Sequence, residues 1–199
     1  MNTSLRTSAL VAGISLALMA VLGPLGLLMA LPSGATGAAA LAVLIIAALD
    51  VLAAVALYPV LKSGGTLLAQ SAAAIRIAYA AVFAVAAGSL FRPVDTEHFQ
   101  AVWEAGLFLF GLHLALVGLA VLRSPLIPTW IGVLLLIAGA GYAIDSATLA
   151  ILPGSPTSIG EITFVGEVVL LVWLIGWGGR SRSTRIDSAD HGSAQEAVA

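Results

Sequence analysis

Residues 37–61 read GAAALAVLIIAALDVLAAVALYPVL, a run of 25 residues with one charged side chain, Asp50. At about 1.5 Å of rise per residue a helix of this length is roughly 37 Å long. That is enough to cross a hydrocarbon core about 30 Å thick. Alanine, leucine, valine and isoleucine fall on every helical face, so no polar side is left for water. Five more runs of the same kind flank it, at roughly 8–31, 67–91, 99–122, 127–151 and 159–179. The 199-residue chain is 60% hydrophobic and 9% charged, with a mean hydropathy of +1.09. Soluble domains carry about 25% charged residues. The polar residues here are too few to cover a water-facing surface, which excludes a soluble globule, and the chain is too apolar to be disordered. The expected fold is all-α, a polytopic bundle of six transmembrane helices over residues 1–179, with a disordered tail over 180–199.

The surroundings of these runs set the topology. Breakers separate them: Pro32-Ser33-Gly34, Ser63-Gly64-Gly65, Arg92-Pro93, Ser124-Pro125 and Pro153-Gly154-Ser155-Pro156. Such short connections make consecutive helices antiparallel neighbours. The first run is longer than the apolar stretch of a cleavable signal, so it reads as a span. Gly23-Pro24 predicts a kink within it. Arg6, Lys62, Arg123, Arg180, Arg182 and Arg185 fall on one side and Arg92 on the other. Positive residues favour the cytoplasmic side, so both termini are expected there. Trp103, Trp130 and Trp177 lie near span ends, where indole rings anchor at the interface. Ala80, Ala84 and Gly88, then Gly111 and Gly118, then Gly132, Gly139 and Gly141 form small-residue stripes that allow close helix approach.

Several function classes are excluded. A formal net charge of −2 leaves no basic stripe for nucleic acid. The absence of cysteine removes thiolate chemistry, disulfides and cysteine-ligated metals. No Walker loop, dinucleotide fingerprint, nucleophile elbow or His-Glu-x-x-His helix occurs. No cofactor or metal is expected.

What remains is a set of ionisable residues inside the spans. A charge at the bilayer centre costs about 2.5–3.5 kcal/mol on insertion scales, so such residues call for a reason. Counted from the arginine-rich ends, Asp50, Arg76, His113 and Glu167 lie about 14–18 Å deep. They belong to the second, third, fourth and sixth spans and share nearly one level. Asp50 and Arg76 sit on antiparallel neighbours and predict an ion pair. Two readings stand: the pair fixes helix register, or Arg76 offers its remaining donors to an anionic ligand or proton path. His113 reads either as a satisfied core histidine or as a group oriented by Glu167. A second set lies nearer the other face. Tyr142 and Asp145, three residues apart, share a helix face. Glu104, Glu161, Asp95, Glu97 and His98 accompany them, but lack the regular spacing of a metal site.

These residues carry a family likeness. Asp50-Val-Leu-Ala-Ala-Val-Ala-Leu-Tyr58-Pro59, Ile75-Arg76, Phe110-Gly111-Leu112-His113, Arg123-Ser124-Pro125-Leu126-Ile127-Pro128, Gly139-Ala-Gly141-Tyr142-Ala-Ile-Asp145, and Glu167 with Trp173 occur in this order. In that order they resemble a family of bacterial integral membrane proteins known as domain of unknown function 4386. The likeness runs from about residue 37 to 179. It implies a polytopic helical protein in the bacterial inner membrane and carries no assigned activity. It also implies that Asp50, Arg76, His113 and Asp145 are positions of interest. The leading expectation is a bilayer protein that binds a small or lipid-like ligand through Asp50, Arg76, His113, Glu167, Tyr142 and Asp145. A membrane-embedded enzyme with a His/carboxylate pair and a structural subunit are the alternatives.

Overall fold

The structure, a computed structural model, describes residues 3–152, 159 and 164–180. Six long or apolar helices occur among them: α1 (Thr3–Gly23), α2 (Thr36–Leu61), α3 (Thr66–Gly88), α4 (Thr96–Arg123), α5 (Thr129–Ile151) and α6 (Val165–Gly176). Helices α1 to α5 are long and apolar enough to cross a membrane, and α6 is a shorter apolar helix. Its 12 described residues span about 18 Å. Most of the remainder of the expected sixth span, residues 160–163, lies outside the described residues, as do the connection at 153–158 and the expected disordered tail at 181–199.

Local chemistry explains the helix ends. Pro24 cannot donate to the carbonyl one turn back, so the regular ladder fails there. The chain continues over Pro24–Ala30 with wider π-type winding before the turn into α2, so the break in regular winding falls at the Gly23-Pro24 position that the sequence marks. Between α2 and α3, Lys62–Gly64 makes a single 3-10 turn and Gly65 takes φ +130°, a backbone conformation suited to glycine. Asp95 caps α4, its Oδ1 accepting from the His98 N–H at 2.9 Å. At the opposite end, the Ser124 side chain accepts from Leu126 N–H at 3.1 Å and bonds Ser63 at 2.8 Å. The α2–α3 and α4–α5 turns are thereby tied together.

The helices pack in chain order, and α6 closes the ring by packing against both α5 and α1. Glycines make the closest approaches. A side chain at Gly111 would meet the Gly139 carbonyl at 2.7 Å, and one at Gly139 would meet the Gly111 carbonyl at 2.6 Å. Gly118 and Gly132 face each other in the same reciprocal way at 2.9 Å. Two stripes expected separately are thus one antiparallel α4–α5 seam. The stripe on α3 differs. Ala80 is buried, but Gly88 has nothing within 4 Å and forms no seam. At the α1–α6 contact, Arg6 donates to the Leu174, Ile175 and Gly178 carbonyls at 3.1, 2.6 and 2.8 Å. A cation here satisfies carbonyls that a helix C-terminus leaves unpaired.

Two apolar clusters occupy the inside of the ring. One gathers Leu57, Leu61, Leu114, Val121, Ile131, Leu135 and Leu174 at the Arg6 end. The other gathers Val43, Tyr79, Phe83, Leu90 and Phe99. The outside is equally apolar, with Leu41, Val55, Leu67, Val85, Ile137 and Val172 exposed. A helix hydrophobic on all sides suits lipid. Trp130 and Trp177 are 57% and 60% exposed, as interface anchors require. Trp103 departs from that expectation: it stacks on Phe83 at 4.1 Å within the bundle.

Gly111→Ala is expected to lower the thermal unfolding midpoint in detergent, because the Gly139 carbonyl is backbone and cannot yield. Overpacking of this kind costs about 1–3 kcal/mol. Gly88→Ala, the same change in open space, should leave the midpoint unchanged or slightly higher.

Candidate functional site

Between the two apolar clusters lies a polar layer. Asp50 follows Ala47 of one cluster and precedes Ala56 of the other. Arg76 stands between Ala72 and Tyr79 in the same way. Asp50, Arg76 and His113 are each at most 3% exposed. Arg76 Nη2 donates to Asp50 Oδ1 at 2.6 Å, the single ion pair among the described residues. The Tyr79 hydroxyl donates to the same oxygen at 2.8 Å. Arg76 Nη1 lies 3.1 Å from His113 Nε2, and His113 Nδ1 lies 2.9 Å from the Ala72 carbonyl.

The directions of these bonds fix the imidazole. A guanidinium has donors only, so His113 Nε2 must accept and Nδ1 must carry the proton it gives to Ala72. Both ring nitrogens are committed. The result is one continuous chain across α2, α3 and α4: Tyr79 and Arg76 to Asp50, Arg76 to His113, His113 back to the α3 backbone. Helical spacing explains the convergence, since Ala72, Arg76 and Tyr79 recur at intervals of four and three on one face of α3. The Arg76 guanidinium also lies 5.8 Å from the Tyr79 ring centroid, within cation–π range. Tyr79 is absent from the sequence-based set. The signal that finds it is its position one turn beyond an intramembrane arginine.

Glu167 enters from α6. Its carboxylate lies in the electrostatic neighbourhood of Tyr142 of α5 and of Arg76 and Asp50. Of the two readings of His113, the structure matches the satisfied core histidine: the imidazole is held by Arg76 and the Ala72 carbonyl rather than by Glu167. Phe110 links the two parts, with ring centroids 5.2 Å from Tyr79 and 5.0 Å from Tyr142. Tyr142 thus joins the midplane group rather than an outer one. Asp145 follows one turn further along α5 and is half-buried. Glu104 accepts from Gln100 at 2.8 Å, away from the network, and Asp95 serves as a cap. Glu161 lies outside the described residues. Among the described residues no group of three His, Asp or Glu side chains is placed to hold a metal ion.

Two buried atoms in this layer stand out. Arg76 Nε finds no hydrogen-bond acceptor and Glu167 Oε1 no donor among the described residues. Buried polar atoms are nearly always paired, because an unpaired one costs about 1–3 kcal/mol. Arg76 Nε and Glu167 Oε1 are thus a donor and an acceptor that the described residues leave uncommitted, and Ser146 Oγ on α5 is a third such atom.

An all-helical bundle, apolar outside and polar at mid-depth, defines a multi-pass membrane protein. The sequence profile of a family described as "Domain of unknown function (DUF4386)" matches residues 96–178. An uncharacterised protein of the archaeon Archaeoglobus fulgidus is 38% identical over 133 residues, covering 67% of this chain and 79% of that one. The chain belongs to the DUF4386 family. No solved structure matches it.

Tyr79→Phe removes one donor from a charged acceptor without changing shape. It should destabilise the protein by about 1.5–3 kcal/mol, the range for hydrogen bonds to charged groups, measured by denaturant unfolding in mixed micelles. An unchanged stability would mean that Asp50 does not depend on the hydroxyl.

Proposed function

We propose that this protein binds a small or lipid-like ligand in the interior of the ring, at the level of Arg76. The observation that carries this reading is the pair of uncommitted buried atoms, Arg76 Nε and Glu167 Oε1. A ligand with an acceptor group for the first and a hydroxyl or amine donor for the second would satisfy both. In this reading Asp50 and Tyr79 hold Arg76, His113 steadies its second nitrogen, and Tyr142 with Asp145 orients the Glu167 side. An ion pair whose task was only to join helices would gain little over two well-packed apolar residues, since buried pairs seldom repay their desolvation. Transport is one use of such a site, because intramembrane ionisable residues line many pathways. The reading is less favourable to His113 as a general base, because neither ring nitrogen is open to a substrate. We place the protein in the plasma membrane of a bacterial cell, and the excess of Lys and Arg at one end supports a cytoplasmic position for that end.

Native mass spectrometry of the protein released from mild detergent tests the proposal. The wild type should carry a discrete additional mass. The double variant Asp50→Leu with Arg76→Leu removes both members of the ion pair together and should lose that mass, and Glu167→Gln should weaken its retention. A bare wild-type mass, with a double variant of equal stability, would contradict ligand binding and leave the network a purely structural role.

A further inference from the structure

The end of the bundle that bears Arg6, Lys62, Arg123 and Arg180 contains an open cleft, separate from the midplane layer. Ser4, Leu5 and Ser8 of α1 form one wall, and Pro59, Lys62 and Ser63 at the α2–α3 turn form the other. Its volume is about 480 Å³. Three hydroxyls and an ammonium line it, with no carboxylate. The described acidic residues all lie elsewhere: Asp50, Asp145 and Glu167 along the spans, and Asp95, Glu97 and Glu104 at or near the opposite end. Among the described residues the charge around the cleft is therefore positive, and the first turn of α1, to which Ser4 and Leu5 belong, adds its own partial positive charge.

The hydrogen bonds narrow the candidate donors, and one of the two orientations open to the Ser63–Ser124 pair frees the Ser63 proton. Arg6 is committed to the carbonyls that end α6. Lys62 is exposed and takes no part in an ion pair among the described residues. Ser124 Oγ accepts from Leu126 N–H, so it can give its own proton to Ser63 across their 2.8 Å contact. A hydroxyl has one proton and two acceptor sites, and Ser63 then keeps its proton for the cleft. Ser8 donates to the Ser4 carbonyl at 3.0 Å and shapes the wall.

We propose that this cleft binds a phosphate-bearing anion at the membrane surface, with Lys62 as the charged donor and Ser63 as the neutral one. The phosphate belongs either to the headgroup of an anionic lipid or to a free ion. Lys62 follows directly on α2, where headgroups lie, and Leu5 and Pro59 provide an apolar flank for a lipid.

Binding of phosphatidylglycerol, phosphatidylcholine and inorganic phosphate to the full chain in detergent tests this. Phosphatidylglycerol should be retained in preference to phosphatidylcholine. Lys62→Ala should weaken that retention about fivefold, as expected for one basic residue at a charged surface. Ser63→Ala should weaken it less, and Arg92→Ala at the other end should have no effect. Because Lys62 is exposed, the thermal midpoint of Lys62→Ala should equal that of wild type, which separates lost binding from lost folding. Displacement of the lipid by inorganic phosphate would assign the cleft to the free ion, and retention against phosphate would assign it to the headgroup. Equal retention of the two lipids together with no binding of inorganic phosphate, or binding of either phosphate source undiminished by Lys62→Ala, would overturn the proposal.

Discussion

The Arg76–Asp50 pair is the constraint around which the rest of the bundle is arranged. A guanidinium carried into the membrane requires a counter-charge and acceptors within reach, and both must come from neighbouring helices. Asp50 of α2 supplies the charge and His113 of α4 supplies the second acceptor. Those contacts set the relative height of three helices. Tyr79 then secures Asp50 from the next turn of α3. A vertical shift of any one helix by a turn would leave a charge unpaired in lipid. The polar layer thus specifies register more sharply than the featureless apolar clusters above and below it.

Closure of the ring has a different physical origin. Helices in lipid gain nothing from hiding apolar surface, so they associate through close packing and internal polar contacts. The α4–α5 seam is built from reciprocal glycines that bring backbone to backbone. The α1–α6 seam combines Gly13 against Leu174 and Ile175 with the Arg6 guanidinium on the last carbonyls of α6. Because α6 also packs on α5, its Glu167 reaches the level of Arg76. Ring closure is what turns a three-helix network into a layer to which five helices contribute.

Much of this architecture was legible in the sequence, for a simple reason. In a membrane, depth follows from counting residues along a helix of known rise. Asp50, Arg76 and His113 could be placed at one level in this way, and Asp50 could be paired with Arg76 because short turns make successive helices neighbours. What counting does not provide is rotation, or the partners of helices far apart in sequence. Depth alone leaves open whether His113 meets Glu167, and the rotations of α4 and α6 decide it: His113 bonds Arg76 and the Ala72 carbonyl instead. Tyr142 was assigned to the outer set by depth, whereas its rotation on α5 points it at Glu167 and Phe110. Trp103 has the position of an interfacial anchor but the rotation of a core residue. Arg6 reads as a topological charge and becomes a helix cap only once α6 is known to lie beside α1.

The most direct measurement is the coupling free energy between Asp50 and Arg76. It comes from a double-mutant cycle of Asp50→Asn, Arg76→Gln and the two together, followed by unfolding in mixed micelles. If the pair sets the register of the bundle, each single change strands its partner in lipid, and the double variant is less destabilised than the sum. A coupling of about 2–3 kcal/mol is then expected, at the upper end for residues in direct contact. Effects that add to within about 0.5 kcal/mol, as for distant independent sites, would contradict the account.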